Sequence, residues 1–582
     1  MAASAAVAAV EPVAAAALAA AVAAVVSVAE DKIHSAPLQG GALWNKAIEL
    51  LTNYYYQEMN MKKIFTIAVL ALAAMPMAAQ ETYENANIAT EDLNGTARYV
   101  GMGGAMEALG ADISTIGTNP AGIGLFRHTM ASTSLSGLEL QDAEDFSIGK
   151  KTKVSFDQLG FVYAHRSGER SFLNFAFNYH KSRNFNDLTD VSDGLNGASQ
   201  NKLSYAKGFE QLFDLDFGNV ITGNSNAFSQ VDYLYYNAFL GDNEGNLFYN
   251  DANSYLMRKA SKGHVGEYDF NLSGNINDRV YLGLTLGIKD VNYKSYSEYS
   301  EQLLDFNNRG IGSTTLADER RIDGSGFDIK AGIIFRPVET SPFRVGLYVN
   351  TPTWYDLKTS NYTELINNTN VGLYKSFNSS EVYEYKLYTP WKFGASLGHT
   401  VGNWLALGLT YEYADYSNLD SRYNTGGTYD WYYDNYYEDS ESDYVMNNHT
   451  ESTLKGVHTL KVGGEYMLDD GLSLRVGFNY LSPMYSKDGY KDGSLDSPGS
   501  YYASATDYTN WKGTTRVMIG AGYRFDKVSI DFAYQYSQKN GEFSPFMSYW
   551  TADGENMSDN VCNAVKLNKE RHQLLFTLGY HF

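Results

Sequence analysis

The sequence has one cysteine, Cys562, and eleven prolines in 582 residues. A lone cysteine excludes an intrachain disulfide framework. Past the N-terminal leader there is no apolar run long enough for a membrane helix, and the mean hydropathy is −0.34. Basic residues are also short: 45 Lys and Arg stand against 67 Asp and Glu, a net charge of −22. That deficit argues against nucleic acid as a partner. Aromatics and glycine, in contrast, are abundant, with 47 Tyr, 29 Phe and 53 Gly. Low hydropathy does not exclude the membrane, because a transmembrane barrel carries its lipid face on every second residue. Nor does length require several domains, since large barrels run long as one.

Residues 61–80 read MKKIFTIAVLALAAMPMAAQ. Lys62 and Lys63 form a basic start, Ile64 to Ala74 an apolar stretch, and Ala78 and Ala79 a small-residue cleavage site, the layout of a secretory signal. The expectation is export with cleavage near Ala79 or Gln80. Residues 1–60, rich in Ala and Val at first, are expected to be a spurious or disordered extension ahead of Met61.

From about residue 127 onward, segments of roughly 10–14 residues alternate apolar and polar, the length and period of a membrane strand. In LSLRVGFNY, Leu472, Leu474, Val476, Phe478 and Tyr480 oppose Ser473, Arg475, Gly477 and Asn479. In VSIDFAYQY, Val528, Ile530, Phe532, Tyr534 and Tyr536 oppose Ser529, Asp531, Ala533 and Gln535. FDIKAGIIFR behaves likewise, except that Ile334 is apolar on the polar face. A face carrying Asp, Lys, Arg, Asn and Gly suits a wet lumen, and its opposite suits lipid.

Fourteen strands are expected, near 127–140, 152–165, 170–183, 263–275, 278–292, 320–336, 342–352, 380–398, 403–418, 452–467, 471–484, 512–525, 527–538 and 571–582. Short turns such as HRSGER (165–170), NINDR (275–279) and RFDK (524–527) alternate with long loops, the largest at about 184–262. Short turns at one end and long loops at the other is the outer-membrane layout. The fold class is therefore an all-β transmembrane antiparallel barrel of about 14 strands over residues 127–582, in a Gram-negative outer membrane with lipid around it. The chain closes on HQLLFTLGYHF, where Phe576, Leu578, Tyr580 and Phe582 share one face. A terminal aromatic on such a strand resembles the signal read by barrel-assembly machinery.

Residues 81–126 have no period-two run and are rich in small residues. Asn119 before Pro120 is pushed toward extended geometry, and the flanking glycines allow tight turns; Ala105 to Leu109 suit a short helical turn. A compact element of this size beside a wide barrel is expected to fold into the lumen as a hatch, because fourteen strands leave an aqueous interior unless something fills it.

The stretch RYVGMGGAMEALGADISTIGTNPAGIG resembles the N-terminal hatch of the FadL/TodX family of outer-membrane transporters. The matching residues are Gly101, Met102, Gly103, Gly104 and Ala105, then Asn119, Pro120, Ala121 and Gly122. TPWKFGASLGHTVGNWLALGLTYEYADYSN (389–418) is also similar to a segment of such barrels. The resemblance implies uptake of hydrophobic small molecules, such as long-chain fatty acids or aromatic hydrocarbons. Capture among extracellular loops, an internal apolar site above Asn119–Pro120–Ala121, hatch rearrangement and sideways exit would follow one another. Asn119, Pro120, Ala121, Gly122, Gly101, Gly103 and Gly104 would form the gating element, with Asn119 hydrogen-bonding the hatch to the wall. Asp328, Lys330, Arg475 and Asp531 are expected to hold the plug rather than bind substrate. The family's wall gap involves an irregular third strand, whereas SFLNFAFNYHKSR carries no Gly or Pro.

Other chemistry finds little footing. GMGG lacks the Lys-Ser/Thr of a phosphate loop, and the ten histidines lack metal-ligand spacing. His128, His180 and His264 are the candidates for haem axial ligands, against the plainer reading as lumen or rim residues. Asp434, Glu438, Asp439, Glu441 and Asp443 crowd together without the spacing of an EF-hand. No catalytic residue, metal or cofactor is expected. The reading that competes with transport is a structural or adhesive surface barrel whose Tyr-rich loops bind host or matrix.

Overall fold

The structure, a computed structural model, describes residues 81–582 apart from 210–213, 217–218, 222–226, 241–247, 370–374, 431, 433–434, 469–470 and 551–558. The leader, residues 1–60 and Asp434 thus lie outside the described residues.

Fourteen strands close into a barrel: β1 (Met130–Leu140), β2 (Thr152–Arg166), β3 (Phe172–Asn184), β4 (Ala252–Ile276), β5 (Val280–Leu304), β6 (Gly310–Phe335), β7 (Arg344–Asn350), β8 (Lys392–Val401), β9 (Leu405–Asp415), β10 (Gly456–Met467), β11 (Leu472–Leu481), β12 (Tyr508–Phe525), β13 (Val528–Ser544) and β14 (Val565–His581). Each pairs antiparallel with its neighbour, and β14 closes on β1 from Met130↔His581 to Leu140↔Arg571. Closure removes every free sheet edge from the membrane zone, where an unpaired backbone group would have no water to bind.

The alternation has the sense read from the sequence. Leu474, Val476 and Phe478 point outward and are exposed, while Ser473, Arg475 and Asn479 are buried in the lumen. Ile334, the apolar exception, packs inside against Ala121 and Tyr281. Outward Phe, Leu, Ile and Val on every strand from β2 to β6 make a continuous apolar exterior, the lipid-facing band of a transmembrane barrel.

Three expectations about the long-loop end are corrected. The connection between β5 and β6, expected as a loop over 293–319, is a hairpin whose strands run on to Leu304 and Gly310. The strand expected over 380–398 is two pieces. A Thr-Pro step bends the wall at Thr351–Thr353 and another at Thr389–Trp391, since proline offers no N–H to the ladder. The bends hold one another, with Thr353 N donating to Thr389 Oγ1 at 2.8 Å. Beyond them Trp354–Thr369, Lys375–Tyr388, Asp420–Asp430 and Asn435–Ser442 continue the sheet above the barrel. The long segment after β3 is also ordered in part: Asp187–Gly194 pairs with the upper half of β4, and helices α3 (Gln200–Phe209) and α4 (Gln230–Tyr235) follow. Phe228, Val231, Leu234 and Tyr235 bury against Tyr299, Leu316 and Phe543, an apolar layer across the long-loop end.

Candidate functional site: the hatch and the cavity above it

Residues 81–126 fold into α1 (Thr82–Ala89), α2 (Ala97–Gly101) and two 3-10 turns, Ile113–Gly117 and Pro120–Leu125. Ala105–Leu109 is a single turn rather than a helix, closed by Gly110 N donating to Met106 O at 2.7 Å. Thr96 caps α2, Asp112 caps the first 3-10 turn and Asn119 caps the second. Most residues of this element are buried and none is exposed, and its partners are the inner faces of the barrel strands.

Small wall residues let the hatch come this close. A Cβ at Gly408 of β9 would overlap the Ala105 carbonyl; at Gly463 of β10, the Met102 carbonyl; at Gly477 of β11, the Gly103 amide; at Gly332 of β6, the Asn119 side chain; and at Gly283 of β5, the Pro120 carbonyl. Inward glycines on five strands thus form a belt where hatch backbone, and at Gly332 the Asn119 side chain, lies directly on wall backbone. Gly103 and Gly104 sit at φ of 69° and 74°, a region open to glycine without a Cβ penalty. The Gly-Met-Gly-Gly motif is therefore a turn seated on β10 and β11.

Asn119 does not bond the wall. Its Nδ2 donates to Glu107 O at 2.9 Å, and its Oδ1 accepts from Ala121 N at 3.2 Å, so both bonds lie within the hatch. The wall bond comes from the next residue: Ser273 Oγ of β4 donates to Pro120 O at 2.9 Å. The Asn119 side chain lies against Gly332, where the wall has no side chain to bond it.

Ion pairs fix the rest. Arg98 meets Glu465 at 2.8 Å, Glu465 meets Arg475 at 2.5 Å, and Arg475 meets Asp531 at 2.6 Å. Buried Glu107 pairs with Lys461 at 2.8 Å and accepts from Thr410 and Tyr99. Glu91 pairs with Lys289 at 2.8 Å and with Lys392. Asp328 and Lys330 lie behind that contact, in a cluster with Glu267 and Asp269. All four plug-holding residues expected from the sequence thus sit in hatch–wall networks. Burial alone would raise the Glu91 carboxyl, but Lys289 and Lys392 hold it well below the usual range. Asp92, likewise opposed by burial, is held down by Arg183, Arg571 and Arg516. Both hatch carboxylates are therefore ionised at neutral pH.

His180 faces Asp269 and Glu267 at 3.4 and 3.8 Å. These three are the metal-compatible grouping among the described residues, yet Lys330 already bonds both carboxylates, at 2.5 and 3.2 Å. His264 lies on β4 and His128 is exposed ahead of β1.

Above the hatch a cavity of about 340 Å³ opens between α1, residues 90–92 and the long-loop segments. It stands over the N-terminal part of the hatch rather than over Asn119–Pro120–Ala121, and it is not purely apolar. Phe185, Tyr293, Tyr416, Tyr485, Trp511 and Phe543 line it together with nine Lys and Arg, among them Arg183, Arg516, Lys539, Lys569 and Arg571, and with eight Asp and Glu. Sequence reasoning missed the five cations named. Four lie on β12–β14 in ordinary inward register, but Arg183 is aimed by a bulge. The β3–β4 register slips between Lys181↔Gly266 and Arg183↔Val265, which swings Arg183 inward as an extra residue does. The third strand is therefore irregular although it contains no Gly or Pro.

No protein-family model matches the sequence, and no curated protein matches it. Solved structures do. The barrel is similar to a Pseudomonas aeruginosa FadL homologue at 12% identity and TM-score 0.45, covering 85% of this chain and 100% of that one. It is also similar to the CymD monoaromatic hydrocarbon channel, at 13% and 0.43 over 85% and 98% of the two chains. The P. putida toluene transporter TodX follows, at 11% and 0.43 over 84% and 99%.

Proposed function

We propose that this chain is an outer-membrane transporter of the FadL/TodX type, admitting hydrophobic small molecules that carry a polar head, long-chain fatty acids or similar. The observation that carries the reading is the cavity above the hatch, where aromatic side chains and charged groups of both signs line a space inside a plugged barrel. An apolar solute is poorly served by a water-filled pore; a lined cavity over a plug gives it a binding step instead. Capture at the long-loop end brings the solute under the apolar layer of α3 and α4, and hatch rearrangement then opens the way onward. The segment Asn119–Pro120–Ala121–Gly122 is the gating element, because Asn119 and Gly122 tie the last 3-10 turn to the Glu107 carbonyl and the Ala111 amide. Gly101, Gly103 and Gly104 are the seat on which the other half of the hatch turns. Export by the signal at 61–80 and assembly through the strand ending in Phe582 complete the route to the outer membrane.

The test is uptake. Expressed in a Gram-negative host without its own channel for these solutes, the protein is expected to restore entry of radiolabelled oleate. Asn119→Leu is expected to reduce that rate at least tenfold with the barrel still folded. A host that takes up neither oleate nor toluene faster with the protein than without it contradicts the proposal.

A further inference from the structure

Two carboxylates lie buried in the layer that α3 and α4 form at the long-loop end, and they are provided for differently. Asp232 of α4 pairs with Lys207 of α3. Its oxygens also accept from Ser204 Oγ at 2.7 Å, Ser229 Oγ at 2.8 Å and Ser229 N at 2.9 Å. Glu301 of β5 is 0% exposed. Its Oε1 accepts from the Tyr299 hydroxyl at 2.7 Å and from the backbone N–H of Gln200, the first residue of α3, at 2.7 Å. Its Oε2 is buried without a hydrogen-bond partner. Glu301 stands above the membrane band, on the stretch of β5 whose outward residues are Ser300 and Gln302. Facing it are Tyr299 on its own strand, Thr314 across the β5–β6 register, Gln200 and Asn201 at the head of α3, Tyr235 on α4, and Cys562 ahead of β14. Among the described residues, none of these neighbours is a Lys, Arg or His. Lys202 of α3 is turned to Asp251 at 3.1 Å and to the Gly197 carbonyl at 3.4 Å.

An ionised carboxylate buried without a counter-charge is costly, and the neutral acid far less so. Burial pushes the Glu301 carboxyl up to about 7 from an ordinary 4.5, against the Tyr299 hydroxyl and the Gln200 amide, which favour the charged form. We propose that Glu301 is a proton-binding latch for the layer of α3 and α4: protonated, it holds the head of α3 against β5; ionised, it drives the two apart. Opening α3 puts the carboxyl in water, where it titrates at its ordinary value. Between pH 4.5 and about pH 7, opening therefore releases a proton, and the closed layer loses a factor of about ten in stability per pH unit. Below that window Glu301 is protonated whether the layer is open or closed, and above it Glu301 is ionised in both, so the balance stops moving. The long-loop end thus loosens as the medium turns from acid to neutral. The latch does not depend on the transport reading; only its consequence, slower entry of solute in acid, rests on that.

Hydrogen–deuterium exchange of the α3 amides tests this, on the purified protein in detergent micelles at about pH 5.5 and about pH 8, corrected for the intrinsic pH dependence of exchange. In wild type the opening equilibrium of α3 is expected to rise at least tenfold from the lower pH to the higher. Glu301→Gln cannot ionise and is expected to open to the same extent at both. Asp232→Asn removes the carboxylate from Lys207; it is expected to raise opening at both pH values and to keep the wild-type ratio between them. General loosening and loss of the latch are thereby told apart. A wild-type ratio near one overturns the inference, and so does a Glu301→Gln variant that keeps the tenfold rise. Neither result bears on the transport reading, which the uptake assay tests separately.

Discussion

Gly408→Val is expected to push the hatch out of the barrel and turn a closed protein into an ion-conducting one. Gly408 lies on β9 with the Ala105 carbonyl directly over it, leaving no volume for a side chain. Valine suits the strand itself, so the substitution does not weaken the barrel by propensity. Overpacking a filled interior costs about 1–3 kcal/mol where side chains can shift. Here the neighbour is backbone, which cannot shift without moving the hatch, and the cost stands at or above the top of that range. Gly464, on β10, is the control. A Cβ there meets only Leu407 and Val476 at ordinary contact distance. Planar-bilayer recording should show a large steady conductance for Gly408→Val and none for wild type or Gly464→Val. A correctly folded Gly408→Val barrel that stays closed would show that the hatch does not depend on the glycine belt.

The second large effect is electrostatic. Glu107→Ala removes a fully buried carboxylate and leaves Lys461, itself buried, with Glu412 at 3.9 Å in place of a partner at 2.8 Å. Breaking one side of a buried pair costs about 3–5 kcal/mol, because the remaining charge stays desolvated. Removing both charges with an apolar replacement costs far less. Glu107→Ala should therefore raise hydrogen exchange of the hatch amides by at least two orders of magnitude, since each 1.4 kcal/mol is a factor of ten. Glu107→Ala with Lys461→Met should recover most of the protection. If the double variant exchanges as fast as the single one, the loss comes from Thr410 and Tyr99, which also donate to Glu107, and not from the charge of Lys461.

How much of this was legible beforehand follows from where each signal is written. All fourteen wall strands could be located because lipid on one side and water on the other force an apolar–polar period of two, as in Leu474, Arg475, Val476. Above the membrane both sides are wet, and the outward positions of β5 turn polar, as at Lys294 and Glu298. The pattern then loses its apolar half, so the strands were expected to end early. The Thr-Pro steps at 352 and 390 were visible as residues, but their mutual hydrogen bonding depends on two loops meeting. The hatch motif gave the place of the plug and nothing of its partners. Glu107 and Lys461 are 354 positions apart, and no local pattern links them. An inward glycine such as Gly477 fits a wet lumen face in the sequence; only the hatch seated on it shows why it carries no side chain. Arg183 was hidden most deeply, because its inward aim comes from a bulge that no Gly or Pro announces.

The proposed transport requires the hatch that fills the barrel to move before solute passes. Ala97 of the hatch and Thr577 of β14 are joined by a 2.7 Å hydrogen bond from backbone nitrogen to hydroxyl, close enough for a cysteine pair to be tried there in a Cys562→Ser background. Oleate uptake should fall at least tenfold when the Ala97→Cys, Thr577→Cys pair is oxidised and return on reduction. Uptake by the oxidised, tethered protein at the rate of the reduced one would contradict the account, because the solute would then be passing a hatch that has not moved.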